Sequence, residues 1–174
     1  MHKRWKPNVT VAAVIERDGK FLLVEEHTPQ GLQLNNPAGH LDPGESLVEA
    51  CIRETREETA YRFAPTALVG VYLTGVPPAA VTPGKSATTT YLRFAFCGEL
   101  GAFLPDQPLD HGIVRSLWLD ADEIRASVAQ HRTPALLQCV QDYLAGVRHP
   151  LDILHCDFGT GDVKGNGTYF VSHA

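Results

Sequence analysis

The segment from residue 39 to residue 61, GHLDPGESLVEACIRETREETAY, constrains the fold of this chain more than any other stretch. Residues 47–59 include neither glycine nor proline and are acceptable helix formers, so they predict a helix. Glu54, Glu57 and Glu58 then lie on one face near its carboxyl end. Repulsion costs about 0.2–0.5 kcal/mol for each such pair of like charges, and the helix dipole also disfavours negative charge here. The arrangement indicates that a cation completes it.

The predicted helix, which Ser46 or Glu45 can cap, has a buried side next to its acidic side. At about 100° per residue, the predicted buried arc contains Val48, Cys51, Ile52, Thr55 and Thr59. The glutamates occupy the neighbouring arc, where they can face a cleft. A solvated charged face is the usual alternative, but it does not explain why the carboxylates cluster. Because Mg²⁺ prefers oxygen ligands, the segment predicts a Mg²⁺ site in which Mn²⁺ can substitute.

Short β-prone runs fill much of the remaining chain. Residues 9–15 and 21–26 flank an Asp-Gly turn and predict a hairpin. The other predicted elements are strands at 32–39, 66–76, 88–100, 113–119 and 151–154 and helices at about 120–128 and 133–146. Alternating side chains along residues 88–100 predict a half-buried strand. This order predicts an α+β domain with helices packed on a mixed sheet.

The length of 174 residues suits a single domain. We expect its core to extend from about residue 7 to residue 155, followed by a C-terminal tail at 156–174. The tail contains GTGDVKGNG at residues 159–167, which lacks the phosphate-loop pattern GxxxxGK followed by Ser or Thr. A flexible terminus is therefore predicted in place of a phosphate loop.

Charge and hydropathy limit the partners and the location. The formal net charge of -5 and the pI near 5.9 argue against a nucleic-acid polymer, but a bound cation can still recruit a small polyphosphate. No apolar run approaches the roughly 20 residues that cross a bilayer, and no secretory core follows the N-terminus. Four scattered cysteines without a CxxC pair predict reduced thiols. We therefore expect a cytoplasmic monomer or homodimer that binds a small molecule.

The acidic segment also carries a family signature. Gly39, five residues, Glu45, seven residues, Arg53–Glu54, two residues and Glu57–Glu58 reproduce the spacing GX5EX7REUXEEXGU, in which U is a bulky apolar residue. The segment therefore resembles the box of the Nudix family. Thr55, Ala60 and Tyr61 depart from that pattern, but none of them replaces a carboxylate. Ala60 occupies a position that favours glycine, at a cost of roughly 1 kcal/mol if the backbone is left-handed there.

Further segments extend the resemblance: VTVAAVIERDGKFLLVEE at 9–26, NNPAGHLDPGESLVEA at 35–50, the Trp118 segment with DADEI, and TPALLQCVQDYLAGVRHPL at 133–151. Together they resemble the NudJ-type phosphatase branch of that family over roughly residues 7–155. The resemblance implies a Nudix α/β/α sandwich with a mixed sheet and a loop–helix–loop. It also implies Mg²⁺-dependent hydrolysis of phosphoanhydrides with release of phosphate. The implied substrates are nucleoside di- and triphosphates, hydroxymethylpyrimidine pyrophosphate and thiamine pyrophosphate.

The resemblance further implies a role for each residue of the box. The implied metal ligands are the carbonyl of Gly39 and the side chains of Glu54, Glu57 and Glu58. Glu54 is either a ligand or the base that takes a proton from water, and its position in the box does not separate these roles. Arg53, paired with Glu45, is implied to orient the carboxylates.

Three residues outside these positions are candidate substrate contacts. His40 directly follows Gly39 and can touch phosphate, although an ordinary loop histidine is an equal alternative. Arg93 can offer a bidentate guanidinium to phosphate or can be a half-buried strand residue. Asp110 lies in a loop where this fold often supplies another acid.

Two other functions remain open from the sequence. One is a pyrophosphohydrolase that cuts nucleoside diphosphate-X compounds such as ADP-ribose at the inner anhydride. The other is a Nudix-like module that binds a nucleotide without cutting it. Retention of every carboxylate of the box favours an enzyme, because binding alone does not require a base.

Overall fold

The structure is a computed structural model that describes residues 6–75 and 89–158. Its strands are β1 Asn8–Val14, β2 Glu16–Arg17, β3 Lys20–Thr28, β4 Gly31–Asn35, β5 Ala38–His40, β6 Tyr61–Thr74, β7 Tyr91–Phe103 and β8 Ile113–Asp120. Its α-helices are α1 Leu47–Thr59, α2 Ala121–Ala126 and α3 Ala135–Leu144. The glycine-rich stretch at 159–167 lies outside the described residues.

The strands form two sheets, and both contribute side chains to one hydrophobic core. One sheet has the order β5-β1-β7-β6, in which β1 and β7 are parallel and the other neighbours are antiparallel. In the other sheet β3 pairs with β2, β4 and β8, all antiparallel. The predicted turn at Asp18 and Gly19 is present, both with positive φ, but it joins β2 to β3. The predicted pairing of residues 9–15 with 21–26 is wrong for β1, because β1 pairs with β5 and β7 in the other sheet. The mixed sheet predicted from the order of elements is confirmed.

Helices cover both faces of the β5-β1-β7-β6 sheet. On one face, Ala12 and Val14 pack with Leu136 and Val140 of α3. On the other face, neighbouring β1 residues pack with Ala50 and Cys51 of α1. Since successive side chains of a strand project to opposite faces, β1 contributes to two separate cores. The result is the predicted α/β/α sandwich.

The strand predicted at 88–100 is present as β7, but its central residues are not half-buried as expected. In β7, Arg93, Ala95, Phe96 and Cys97 are all buried. The arginine side of this part of the strand faces Cys139 of α3, so residues 95–97 are buried on both faces. A polar residue on a strand therefore did not indicate a solvent-facing side here.

The orientation of α1 also differs from the prediction. Ile52, which was expected to be buried, is 37% exposed, whereas Glu54 and Glu58 are only 8% and 7% exposed. The helix is turned so that two of its three clustered carboxylates lie against β5. Simple apolar periodicity failed because part of the inward face consists of acidic residues.

Two further elements complete the description. Residues 151–154 were predicted as a strand, but Leu151–Ile153 is a single 3-10 turn that follows Pro150. The capping box predicted before α2 is present, with Asp120 at the N-cap and Glu123 three residues later.

All four cysteines are free thiols, of which Cys156 is exposed. No helix within the described residues is long and apolar enough to span a membrane.

Candidate active site

Helix α1 is held at both ends by its own sequence. Ser46 accepts a hydrogen bond from the Glu49 N–H, and the Glu49 carboxylate accepts one from the Ser46 N–H, at 3.2 and 2.8 Å. This capping box fixes the start of the helix. At its other end Ala60 has φ 58°, a left-handed conformation in the position where the family pattern has glycine. The loop from β5 therefore leads directly into the helix, and the left-handed residue leads from the helix into β6.

Arg53 is the centre of the polar contacts at this site. Its Nε and Nη2 donate to the two oxygens of Glu45 at 3.0 and 2.6 Å, a bidentate pair across the loop. Its Nη1 donates to Glu54 at 2.7 Å and to Glu57 at 3.1 Å. The contact with Arg53 lowers the pKa of Glu45. One guanidinium thus ties the loop to two carboxylates of the helix.

Glu54 lies directly against the backbone of Gly39. A Cβ placed on Gly39 would overlap the carboxyl group of Glu54, so the strand can approach the helix this closely only with glycine. Burial raises the pKa of Glu54, while the charge and hydrogen bond of Arg53 oppose that rise. The structure therefore holds a carboxylate with increased proton affinity at a fixed position beside β5.

Glu58 is the most deeply placed acid of the cluster. Its Oε2 accepts a hydrogen bond of 2.7 Å from the backbone N–H of Ala38. Burial is the main cause that raises the pKa of Glu58 to about 8, and the Ala38 N–H opposes it. The negative charges of Glu54 and Asp110 add to the rise, whereas the charge of Arg93 lowers it. Four charged groups from α1, β7 and a loop are therefore within electrostatic reach of each other.

Glu57 and Asp110 lie at the outer side of the cluster. The Glu57 side chain is 32% exposed and contacts Arg53, and Arg56 is 3.8 Å away. The backbone N–H of Asp110 donates to the carbonyl of Glu57 at 2.8 Å. This bond joins the loop before β8 to the last turn of α1. The structure thus brings Asp110 next to the carboxylates of the box.

His40 on β5 and Arg93 on β7 lie on either side of β1 in the same sheet. The His40 side chain is exposed, and its carbonyl accepts a hydrogen bond of 3.0 Å from Arg53. Arg93 is 7% exposed, and its guanidinium donates to the Asn35 side chain. Both residues share the sheet that carries Ala38 and Gly39 on β5.

The donor chemistry of this site fits a divalent cation such as Mg²⁺. Carboxylate and carbonyl oxygens are hard ligands, and the two buried acids repel each other. Among the described residues, Oε2 of Glu54 and Oε1 of Glu58 receive no hydrogen bond. Within residues 6–75 and 89–158, however, no three His, Cys, Asp or Glu side chains are already arranged around a common point. The second oxygen of each carboxylate is hydrogen-bonded within the protein: Oε1 of Glu54 to Arg53, and Oε2 of Glu58 to the Ala38 N–H.

Sequence reasoning missed two contributors to this geometry. The Ala38 N–H orients Glu58. Because this donor is a backbone group, the identity of the residue in the sequence gives no sign of it. Thr10 of β1 is buried and lies opposite His40 in the sheet register. A threonine in a β-strand is ordinary, so only the fold distinguishes it.

Glu58 should make the stability of the metal-free protein fall as pH rises. Its pKa rises from 4.5 to about 8 on folding, so between these values the folded chain keeps a proton that the unfolded chain has lost. The stabilisation is complete below pH 4.5 and is lost as pH rises through about 8. We expect the Tm in EDTA to decline across this window and the Glu58→Gln variant to decline less. Parallel Tm profiles for the two proteins would contradict the assignment.

Comparison with known proteins identifies the family. The NUDIX domain family model matches residues 5–139. Phosphatase NudJ from Escherichia coli strain K12 is 37% identical over 161 residues, which cover 92% of this chain and 98% of that protein. Phosphatase NudJ from Shigella flexneri matches with the same identity and coverage.

Solved structures agree with this result. A NUDIX hydrolase from Nitrosomonas europaea superposes with a TM-score of 0.79 and 54% identity, covering 89% of this chain and all of that one. The E. coli ORF135 protein has a TM-score of 0.61 at 22% identity over 80% of this chain and 90% of its own, a likeness of fold alone. The carboxylates of residues 39–61, the sandwich around them and these matches lead to one conclusion: the chain belongs to the Nudix family of hydrolases.

Proposed function

We propose that this chain is a Mg²⁺-dependent phosphohydrolase that releases orthophosphate from nucleoside di- and triphosphates and from hydroxymethylpyrimidine and thiamine pyrophosphates. The observation that carries the proposal is the pair of buried carboxylates, Glu54 and Glu58, held by Arg53 and Ala38 with one oxygen each left without a hydrogen bond. Similarity to proteins named Phosphatase NudJ over 92% of the chain supports the class of substrate.

The ion would be held by oxygens from α1 and β5. The proposed ligands are the carbonyl of Gly39 and the side chains of Glu57 and Glu58, with Glu54 as a further ligand. When bound, Mg²⁺ or Mn²⁺ neutralises charge on the phosphoanhydride and makes water more acidic. Glu57, which is partly exposed, and Glu58, which is buried, would bind the ion from positions that the fold already sets.

Glu54 is also the proposed proton acceptor. Burial raises its pKa, which is a property that a general base needs near neutral pH. Arg53 holds Oε1 at 2.7 Å, whereas Oε2 receives no hydrogen bond from the described residues. Glu45 fixes Arg53 in turn through its bidentate contact. Glu45 and Arg53 are therefore proposed to position the base.

His40, Arg93 and Asp110 are proposed to contact the substrate. His40 and Arg93 offer donors beside the carboxylates, which suits an anionic phosphate chain. Asp110, bonded through its backbone N–H to the last turn of α1, adds negative charge near Glu58. A cytoplasmic location is part of the proposal and is supported by the four free thiols.

A product assay tests this function. Purified protein with Mg²⁺ is given a panel of nucleoside triphosphates, thiamine pyrophosphate and ADP-ribose, and released orthophosphate and monophosphates are measured separately. We expect orthophosphate from the first two classes and loss of release in EDTA. Cleavage of ADP-ribose alone, with two monophosphate products, would assign the chain to the nucleoside diphosphate-X class. Binding without any product would refute the enzymatic proposal.

A further inference from the structure

Three side chains form a row across the sheet, on the face that α3 covers and opposite the face on which α1 packs. In the strand register, Thr10 of β1 lies opposite His40 of β5 and opposite Arg93 of β7. Directly paired residues of neighbouring strands project to the same face, so the three side chains are adjacent, with Thr10 in the middle. We call this set the Thr10 row.

The hydroxyl of Thr10 lacks a partner. Thr10 is only 7% exposed, and its Oγ1 makes no hydrogen bond with the described residues. A buried hydroxyl without a partner destabilises the folded chain, because it has lost its hydrogen bonds to water. Valine has nearly the same shape and would avoid that loss. A ligand bound beside Thr10 would supply the hydrogen-bond partner that this hydroxyl lacks.

Arg93 is an incompletely compensated cation in the same row. It is 7% exposed, and its Nη1 and Nη2 both donate to Oδ1 of Asn35, at 3.4 and 3.3 Å. These distances exceed the usual range of about 2.7–3.2 Å, and a guanidinium has five N–H donors. No carboxylate of the described residues lies within ion-pair distance of it. Arg93 also contacts the Cys139 side chain of α3, and the charge of Glu58 acts on it, but no carboxylate of the described residues hydrogen-bonds its guanidinium.

The row lies close to the carboxylates and close to the surface. The charge of Arg93 acts on Glu58, and β5 carries both His40 and the Ala38 N–H that binds Glu58. At the outer end of the row, the rings of His40 and Tyr91 are 6.1 Å apart, and His40 is exposed. A ligand entering past His40 would meet Thr10 and Arg93 before it reached the inner core.

We propose that the Thr10 row is an anion subsite that binds a phosphoryl group of the substrate through the Thr10 hydroxyl and the Arg93 guanidinium. It is separate from the proposed metal ligands, and Thr10 is a substrate-binding residue. A neutral group in this place would leave the buried charge of Arg93 unmatched. The inference rests on the proposed function for the identity of its ligand, a phosphoanhydride.

Pyrophosphate binding in the absence of metal tests the subsite. Calorimetric titrations in EDTA use the full chain, the Thr10→Val variant and the Thr10→Ser variant, and each Tm is measured in phosphate-free buffer. Valine keeps the shape and removes the hydroxyl, whereas serine keeps the hydroxyl and removes a methyl group. We expect Thr10→Val to weaken pyrophosphate binding about tenfold while its Tm is unchanged or higher. We expect Thr10→Ser to bind like the parent protein at a lower Tm.

The opposite orders of affinity and stability distinguish binding from a structural role. Pyrophosphate affinity that is unchanged in Thr10→Val, or affinity and Tm that fall together, would overturn the proposal. Failure of the parent protein to bind millimolar pyrophosphate would overturn it as well. Since the titration needs neither metal nor turnover, a chain that binds pyrophosphate but releases no phosphate would refute only the proposed function.

Discussion

Replacing Glu58 or Glu57 by glutamine should lower the rate of phosphate release at least about a hundredfold, because loss of groups that merely orient metal ligands already costs about 10–100-fold. Glutamine keeps the shape of the side chain but removes its charge. The Ala38 N–H can still donate to the amide oxygen at position 58. We therefore expect both variants to fold, as measured by circular dichroism and Tm, and to lose activity at saturating Mg²⁺.

Glu49→Gln is the matched control for these variants. Glu49 lies in the first turn of the same helix, where its side chain accepts a hydrogen bond from the Ser46 N–H, a contact that glutamine can keep. Its activity should stay close to that of the parent protein. Near-normal turnover of Glu57→Gln or Glu58→Gln, or an equal loss in Glu49→Gln, would show that the metal assignment is wrong.

Replacing Gly39 by alanine should have the second large effect. The new methyl group would overlap the carboxyl group of Glu54. The end of Glu54 is flexible, so it can move aside with little loss of stability, but this movement breaks its 2.7 Å hydrogen bond with Arg53. A displacement of about 1 Å in a catalytic group can cost about a hundredfold in rate. We expect a loss of that size in kcat with a small change in Tm.

A double-mutant cycle shows whether Gly39→Ala acts through Glu54. If it does, the Gly39→Ala/Glu54→Gln double variant should be no slower than Glu54→Gln alone, because the displaced group has already been removed. Additive losses would mean that the methyl group disturbs something else. Full activity of Gly39→Ala would contradict the close contact seen in the structure.

Local signals in the sequence predicted the part of the site that depends on local geometry. The bounds of α1 follow from Ser46 and from residues 47–59, which lack glycine and proline. The contact between Glu45 and Arg53 was implied by the resemblance to the family box, and the structure contains it as a bidentate pair. Even the left-handed end at Ala60 could be expected from its place in the pattern. These features need no knowledge of distant strands.

Features that depend on long-range packing were not accessible in the same way. Ile52 is exposed and Glu58 is buried because β5 lies against the acidic side of α1. Arg93 is buried because α3 covers a face of β7 that the sequence marks as polar. Thr10 becomes notable only when the sheet register sets it between His40 and Arg93. In each case the burial or the neighbours of a side chain depend on an element that is distant in the sequence.

The central claim is that a divalent ion completes the acidic end of α1. Crystals soaked in Mn²⁺ test it directly through anomalous scattering from the metal. We predict a peak within about 2.4 Å of oxygens from Glu57, Glu58 and the Gly39 carbonyl. Carboxylates that stay on Arg53 and the Ala38 N–H at saturating Mn²⁺, with no anomalous peak between them, would contradict the claim.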